Sequence, residues 1–141
     1  MRDVLAALRA AGVESFYPDF RNWLADKVLP GLVTGERFCL GAMNDGTLVG
    51  IAIGKVSGPE RKLSTLWVEE GSRRAGFGES LAQAAFERLG TPTPLFTVPE
   101  EILPDFEGAL RRWEFRLSAI RQDAYRPGAR EYHFNGLASS P

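Results

Sequence analysis

The sequence has one cysteine, Cys39, and one histidine, His133, among 141 residues. Cys39 sits in the apolar run Arg37-Phe38-Cys39-Leu40 with no CxxC or Cys/His cluster around it, which argues against a disulfide framework and a structural zinc site. No metal is therefore expected, and the compartment is expected to be reducing. Charge of one sign is also lacking: 17 basic residues face 18 acidic ones, for a net charge of -1. That balance offers no broad positive field to nucleic acid or anionic lipid, so an anion site has to be local. No apolar run approaches the roughly 18 residues that a membrane span takes. The opening Met1-Arg2-Asp3-Val4 leads into a mixed stretch broken by Arg9 instead of a secretory core, so a cytoplasmic protein without a membrane partner is expected. There is no internal repeat and no low-complexity segment.

What is present is ordinary globular composition, 44% hydrophobic and 25% charged, at a length that fits one core and hardly two. Residues 1–136 read as a single domain and 137–141 as a short polar tail. Residues 3–11, rich in Ala and Leu and ending at Gly12, predict a short helix. Phe20, Trp23, Leu24, Val28 and Leu29 mark one face of a second. The period then changes. Residues 37–42 and 47–54 read as strands joined by Asn44-Asp45-Gly46, whose Asp-Gly pair is a hairpin-turn signal. A loop is expected over 54–60 and a third strand over 63–68. Phe77, Leu81, Ala85 and Leu89 recur every four residues and predict a helix that stops at Gly90. Residues 95–98 predict a strand and 103–113 a helix. Phe115, Leu117 and Ala119 alternate as a strand that pairs with 131–134 across Arg126-Pro127-Gly128.

The loop between the third strand and its helix carries the chemistry. A helix N-terminus leaves backbone N–H groups unpaired and partly positive, which suits phosphate oxygens. Gly76 and Gly78 lack the Cβ atoms that would hold a pyrophosphate off those amides, and Arg73 and Arg74 add charge and forked donors. Physics alone marks an anion-binding turn and leaves the anion open. A P-loop would need Lys-Ser/Thr where Glu79-Ser80 stands, and a dinucleotide fingerprint would need glycine at Leu81.

Arg73-x-x-Gly76-x-Gly78, following Leu66-Trp67-Val68 and leading into an amphipathic helix, resembles motif A of the GNAT superfamily of N-acetyltransferases. The order of predicted elements from about Phe16 to Phe134 is similar to that family's. The resemblance implies an α+β fold: a mixed, mostly antiparallel central sheet flanked by helices. It further implies acetyl-CoA as co-substrate, with backbone groups of Trp67 and Val68 on the pantetheine arm and acetyl carbonyl. Arg73, Arg74, Ala75, Gly76, Phe77 and Gly78 would hold the pyrophosphate. Family members usually open with a strand; here a helical segment comes almost at once, so that strand is missing or supplied by another subunit, which leaves a homodimer open.

Acetyl transfer from a thioester needs a neutral amine, a polarised carbonyl and a proton for the leaving thiolate. Glu69 and Glu70 close one strand, and Glu100 and Glu101 follow the next. Glu69 or Glu100 is the expected base, directly or through water, although each of the four also fits a solvated strand-end carboxylate. Many family members carry an Asn and, seven residues on, a proton-donating Tyr in the helix before a Gly-Phe pair. Counting back from Phe115, those positions hold Leu103 and Leu110, and Glu114 replaces the Gly. The usual acid is thus absent. Tyr125 in the closing hairpin is the expected substitute, with packing or solvent exposure as its alternative; the thiolate can also leave unassisted. His133, alternating onto the face opposite Tyr132 and Phe134, reads as a satisfied structural or surface histidine.

Phe20 and Trp23 fit either a core or a substrate pocket, and Phe16, Tyr17, Arg121, Arg126 and Arg130 lie in the regions that the family uses for acceptors. The resemblance implies an N-acetyltransferase acting on a primary amine of a small molecule or peptide. The alternative is a non-catalytic CoA-binding module with a sensing or protein-interaction role. A nucleic-acid acceptor is disfavoured by the charge balance.

Overall fold

The Asp45-Gly46 pair turns the chain with φ of +49° and +80°, the left-handed geometry that suits a two-residue hairpin between twisted strands. It joins β1 (Arg37–Asn44) to β2 (Thr47–Ser57), which pair antiparallel. The computed structural model describes residues 19–123 and 126–137. The expected helix over 3–11, Phe16, Tyr17 and Tyr125 lie outside the described residues.

The second expected helix is present in three pieces: α1 (Phe20–Trp23), a π-helical turn (Leu24–Val28) and α2 (Leu29–Thr34). The Leu29 N–H donates to the Leu24 carbonyl, five residues back. Pro30, in the first turn of α2, brings no N–H, and its ring crowds the carbonyl four residues earlier, so the preceding turn widens. Leu24 and Val28 are buried as their spacing predicts.

The loop expected over 54–60 is instead a tight hairpin. β2 runs on to Ser57, and β3 (Glu60–Val68) starts directly after Gly58-Pro59, with Lys55 opposite Lys62 and Ser57 opposite Glu60. Pairing with β3 satisfies backbone groups that composition alone gave no reason to order. A bulge between Ile53 and Gly54 restores the alternation, with Ser64 as the extra residue on β3. Gly54 is required there, because a Cβ would lie 2.2 Å from the Phe38 ring.

A 3-10 turn (Glu70–Ala75) leads to α3 (Phe77–Leu89), which stops at Gly90 with φ of +75°. β4 (Leu95–Pro99), α4 (Leu103–Arg112), β5 (Leu117–Gln122) and β6 (Arg130–Phe134) complete the order. β5 begins two residues later than expected. Glu114 takes φ of +57° and turns Phe115 into the core before the strand starts.

The six strands lie in the order β1-β2-β3-β4-β6-β5, antiparallel except for β3 with β4. This is the mixed, mostly antiparallel sheet that was expected. Leu81, Ala85, Phe86 and Leu89 of α3 and Leu110 of α4 cover one face, against Ala52, Leu63 and Phe96. Leu24 and Val28 cover the other, against Ile51, Ile53 and Trp67. Each large side chain so buried contributes about 1.5–3 kcal/mol. β2, apolar on both sides from Val49 to Ile53, holds the two layers together.

Candidate functional site

β3 and β4 pair over only two positions, Lys62 with Leu95 and Leu63 with Phe96. Beyond them β3 stays with β2 as far as Val68 opposite Gly50, while β4 stays with β6 as far as Pro99 opposite Glu131. The two strands therefore diverge, and a V-shaped opening splits the middle of the sheet. Trp67 and Val68 stand on its β3 side, Trp67 against the α1–α2 layer and Val68 against the α3 layer.

At the open end of β3 the chain turns through Glu69–Ala75 and enters α3. Gly76 caps the helix with φ of +89°, a conformation that favours glycine, and among the described residues no side chain caps the first amides. The first helical bond runs from the Ser80 N–H to the Gly76 carbonyl at 3.1 Å, so the amides of Phe77, Gly78 and Glu79 precede it. A Cβ on Gly78 would lie 3.3 Å from Cγ2 of Val68, so the helix start is seated against the end of β3. Thirteen aligned peptides add their dipole to those amides. The loop thus fits a pyrophosphate on geometric grounds: unpaired donors, a glycine cradle and a neighbouring cleft.

Arg73 is placed differently from a freely projecting cation. Its Nε donates to the Val68 carbonyl at 3.0 Å, and its Nη1 lies 3.6 Å from Oδ2 of Asp105 in the first turn of α4. It spans the mouth of the opening and shares its charge with Asp105. Ala75 is exposed, and the backbone of Arg74 belongs to the same turn. Glu79, in the first turn of α3, faces sideways. It accepts from Trp113 Nε1 at 3.0 Å, Gln83 at 3.2 Å and Arg112 at 3.3 Å. The Trp113 hydrogen bond, followed by those of Gln83 and Arg112, holds its carboxyl below the usual range.

The acidic pairs stand at the strand ends, as expected. Glu69 accepts from the Ser72 hydroxyl at 3.2 Å and is exposed. Glu100 lies 3.8 Å from Arg130, and Glu101 is paired with Arg126. Each expected base already has a polar neighbour, Ser72 for Glu69 and Arg130 for Glu100. Leu110 is buried and Leu103 packs on the same core, so the positions that the family gives to Asn and Tyr are apolar in space as well as in sequence. Glu114 has a left-handed backbone, a conformation that favours glycine.

Of three polar residues near the root of the opening, Lys62 and Ser64 were not anticipated from sequence, and His133 departs from the satisfied histidine that was expected. Lys62 is fully buried, and burial foremost, with Lys55 and Arg37 adding to it against Glu60 and Glu131, pulls its ammonium down to about 8. His133 is on the face opposite Tyr132 and Phe134, as alternation predicts, but it is buried, and among the described residues neither ring nitrogen has a partner. Ser64, the bulged residue, has a buried hydroxyl without a partner among the described residues. Lys62 was hidden in the charged run Glu60-Arg61-Lys62, and only the two-residue register of β3 with β4 reveals its position. Arg73's partner Asp105 and Glu79's partner Trp113 were likewise invisible, being more than thirty residues away. Cys39 is a free thiol, half-buried and pushed up by burial. Among the described residues no helix is long and apolar enough to cross a membrane.

Comparison with known proteins places this geometry. A model of the Acetyltransferase (GNAT) family matches residues 4–92, more than half of the chain and inclusive of the glycine loop. No curated protein sequence matches. Among solved structures, nourseothricin acetyltransferase is similar at 22% identity and a TM-score of 0.64, over 72% of this chain and 65% of that one, so the chain spans just under two thirds of that protein. A GNAT-family acetyltransferase from Desulfovibrio desulfuricans is similar at 17% identity and a TM-score of 0.66, over 94% of this chain and 90% of that one. An aminoglycoside 6'-N-acetyltransferase complexed with coenzyme A is similar at 14% identity and a TM-score of 0.56, over 77% and 76%. At these identities the likeness is one of fold. The divided sheet, the glycine-opened helix at its edge and the match over residues 4–92 together establish that this chain belongs to the GNAT acetyltransferase family.

Proposed function

We propose that the chain is an acetyl-CoA-dependent N-acetyltransferase whose acceptor is a primary amine on a small molecule or peptide. The observation that carries this reading is the opening between β3 and β4 with the uncapped start of α3 at its edge. Phosphate oxygens suit the amides from Arg73 to Gly78, and the pantetheine arm suits the facing edge of β3 at Trp67 and Val68. When bound, acetyl-CoA supplies an activated acyl group as a thioester. The chain's own part is to hold that group in the cleft, polarise its carbonyl with backbone N–H groups, and manage protons. Glu69 and Glu100, at the rim, can relay a proton through water, and Tyr125 is retained as acid in the same reading. Residues 1–136 act as one domain in a reducing, cytoplasmic setting. Leu117 and Ile120 on edge strand β5 give a homodimer an apolar surface to use.

A second reading has its own support. Leu103 and Leu110 remove the family's usual acid, and Glu100 and Glu101 face arginines, which suits a module that binds CoA without turnover. Calorimetric titration with acetyl-CoA, on the wild type and on folded Gly76→Trp and Gly78→Trp variants, tests the site. Micromolar binding abolished by either substitution is expected; no binding by the wild type would sink both readings. Thiol release that depends on an added primary amine separates the enzyme from the module.

A further inference from the structure

The Glu69 N–H donates to the Val49 carbonyl at 2.8 Å, one step past the pairing of Val68 with Gly50. Along an antiparallel ladder the backbone groups of successive residues point to opposite sides, so Val68 turns its N–H and C=O away from β2 and into the opening. They lie beyond the last β3–β4 pair, Leu63 with Phe96, and so belong to the bare edge of β3. The Val68 carbonyl is nonetheless occupied, by Arg73. Nε of Arg73 donates to it at 3.0 Å, while Nη1 of the same guanidinium lies 3.6 Å from Oδ2 of Asp105, in the first turn of α4. One side chain thus joins the turn before α3, the edge of β3 and the helix across the opening.

We infer that Arg73 is a bolt that selects the acyl donor: it closes the Val68 edge to a pantetheine arm until a pyrophosphate draws the guanidinium away. This rests on the acetyl-CoA reading of the site, which the enzyme and the binding module share. A phosphate contact for Arg73 already belongs to that reading; the bolt adds a coupling between the phosphates and the strand edge. A donor that carries the pyrophosphate is admitted in preference to one that carries the pantetheine arm alone.

Three features let the guanidinium change partners. Both side chains of the Arg73–Asp105 pair are about half exposed, so solvent and salt weaken it. The bond to Val68 has a neutral acceptor, whereas phosphate oxygens are charged and accept in the forked geometry that a guanidinium presents, which makes the stronger bond. The two destinations also adjoin each other, since a Cβ on Gly78 would lie 3.3 Å from Cγ2 of Val68, so the swing from the strand edge to the start of α3 is short. Glu79, the acid in the first turn of α3, is engaged by Trp113, Gln83 and Arg112 and leaves the guanidinium to the phosphates.

Calorimetry on the full chain tests the coupling, with acetyl-CoA, with S-acetylpantetheine, which lacks the phosphates, and with S-acetylpantetheine in saturating inorganic pyrophosphate, at matched ionic strength. The wild type is expected to bind S-acetylpantetheine about tenfold more tightly once pyrophosphate is present. Arg73→Met, which keeps a flexible stem and removes the donors, is expected to bind it about tenfold more tightly without pyrophosphate, to gain nothing when pyrophosphate is added, and to lose affinity for acetyl-CoA. The wild-type titrations decide the matter even if that variant fails to fold. Wild-type affinity for S-acetylpantetheine that changes by less than about twofold with pyrophosphate, or stays undetectable throughout, overturns the bolt and leaves the acetyl-CoA site intact. A folded Arg73→Met that loses acetyl-CoA affinity with S-acetylpantetheine unaffected also overturns it, and reduces Arg73 to a phosphate contact. No acetyl-CoA binding by the wild type sinks the site and the bolt together.

Discussion

Lys62 concentrates what one residue can do in a sheet. Its ammonium is disfavoured in the folded chain, so the unfolded chain binds more protons between about pH 8 and pH 10.5, and stability climbs as pH rises through that window. Below pH 8 both states hold the proton and the penalty is constant. Relative to Lys62→Met, the wild type is expected to gain about 3 kcal/mol between pH 7.5 and pH 10.5, read from urea midpoints. Equal slopes for both proteins would show that Lys62 stays solvated. Gly54 makes the complementary point about space. With Phe38 ring atoms 2.2 Å from where a Cβ would stand, Gly54→Ala is expected to cost about 1–3 kcal/mol, measured by chemical denaturation. A neutral result would mean that the ring can swing away, despite Arg88 packed 4.8 Å over it.

Between elements, the decisive contact is a single carboxylate. Glu79 ties the start of α3 to Trp113 at the end of α4, and the indole N–H has no other acceptor in that contact. Glu79→Leu leaves that donor unpaired and is expected to cost about 1–3 kcal/mol of thermal or urea stability. Because the carboxyl is held below its usual range, this link is present above the unfolded carboxyl's ordinary value, 4.5, and is lost as pH falls through the lower folded value. Wild type and variant should therefore converge in stability under acid; a gap that persists there would assign the effect to packing. The α1–α2 segment shows an element altered by one residue. Pro30 leaves the buried face of Leu24 and Val28 in place but widens the turn before it. Pro30→Ala is expected to restore ordinary i to i−4 bonding over 24–28, visible as stronger amide-exchange protection there.

For the molecule as a whole, the opening in the sheet is held by groups from both of its sides. Arg73 bonds the last β3 carbonyl and reaches Asp105 on α4, so the charge proposed for an anion is shared with the protein itself. Both side chains are about half exposed, which limits the pair to roughly 0.2–1 kcal/mol. Asp105→Ala is expected to tighten acetyl-CoA binding by about two- to fivefold at low salt, with the gain fading as salt screens it. Weaker binding would mean that Asp105 positions Arg73 for the ligand.

Local patterns in the sequence were sufficient wherever structure is decided within a few residues. Asp45-Gly46 made its hairpin, the four-residue spacing from Phe77 to Leu89 made α3, and Gly76 and Gly78 sit where the helix begins, because turn geometry and helix periodicity are local properties of the backbone. The same logic failed at 54–60, where pairing with β3 ordered residues whose composition suggested a loop, and at Phe115, which the core claimed from the strand. Tertiary structure alone decided that β3 and β4 touch at two positions and then part. It alone buried Lys62, His133 and the Ser64 hydroxyl around that point, because burial on a sheet face depends on which distant strands and helices meet there. The family motif was written in the chain's own order, whereas the burial of His133 exists only once β6 has been laid beside β4.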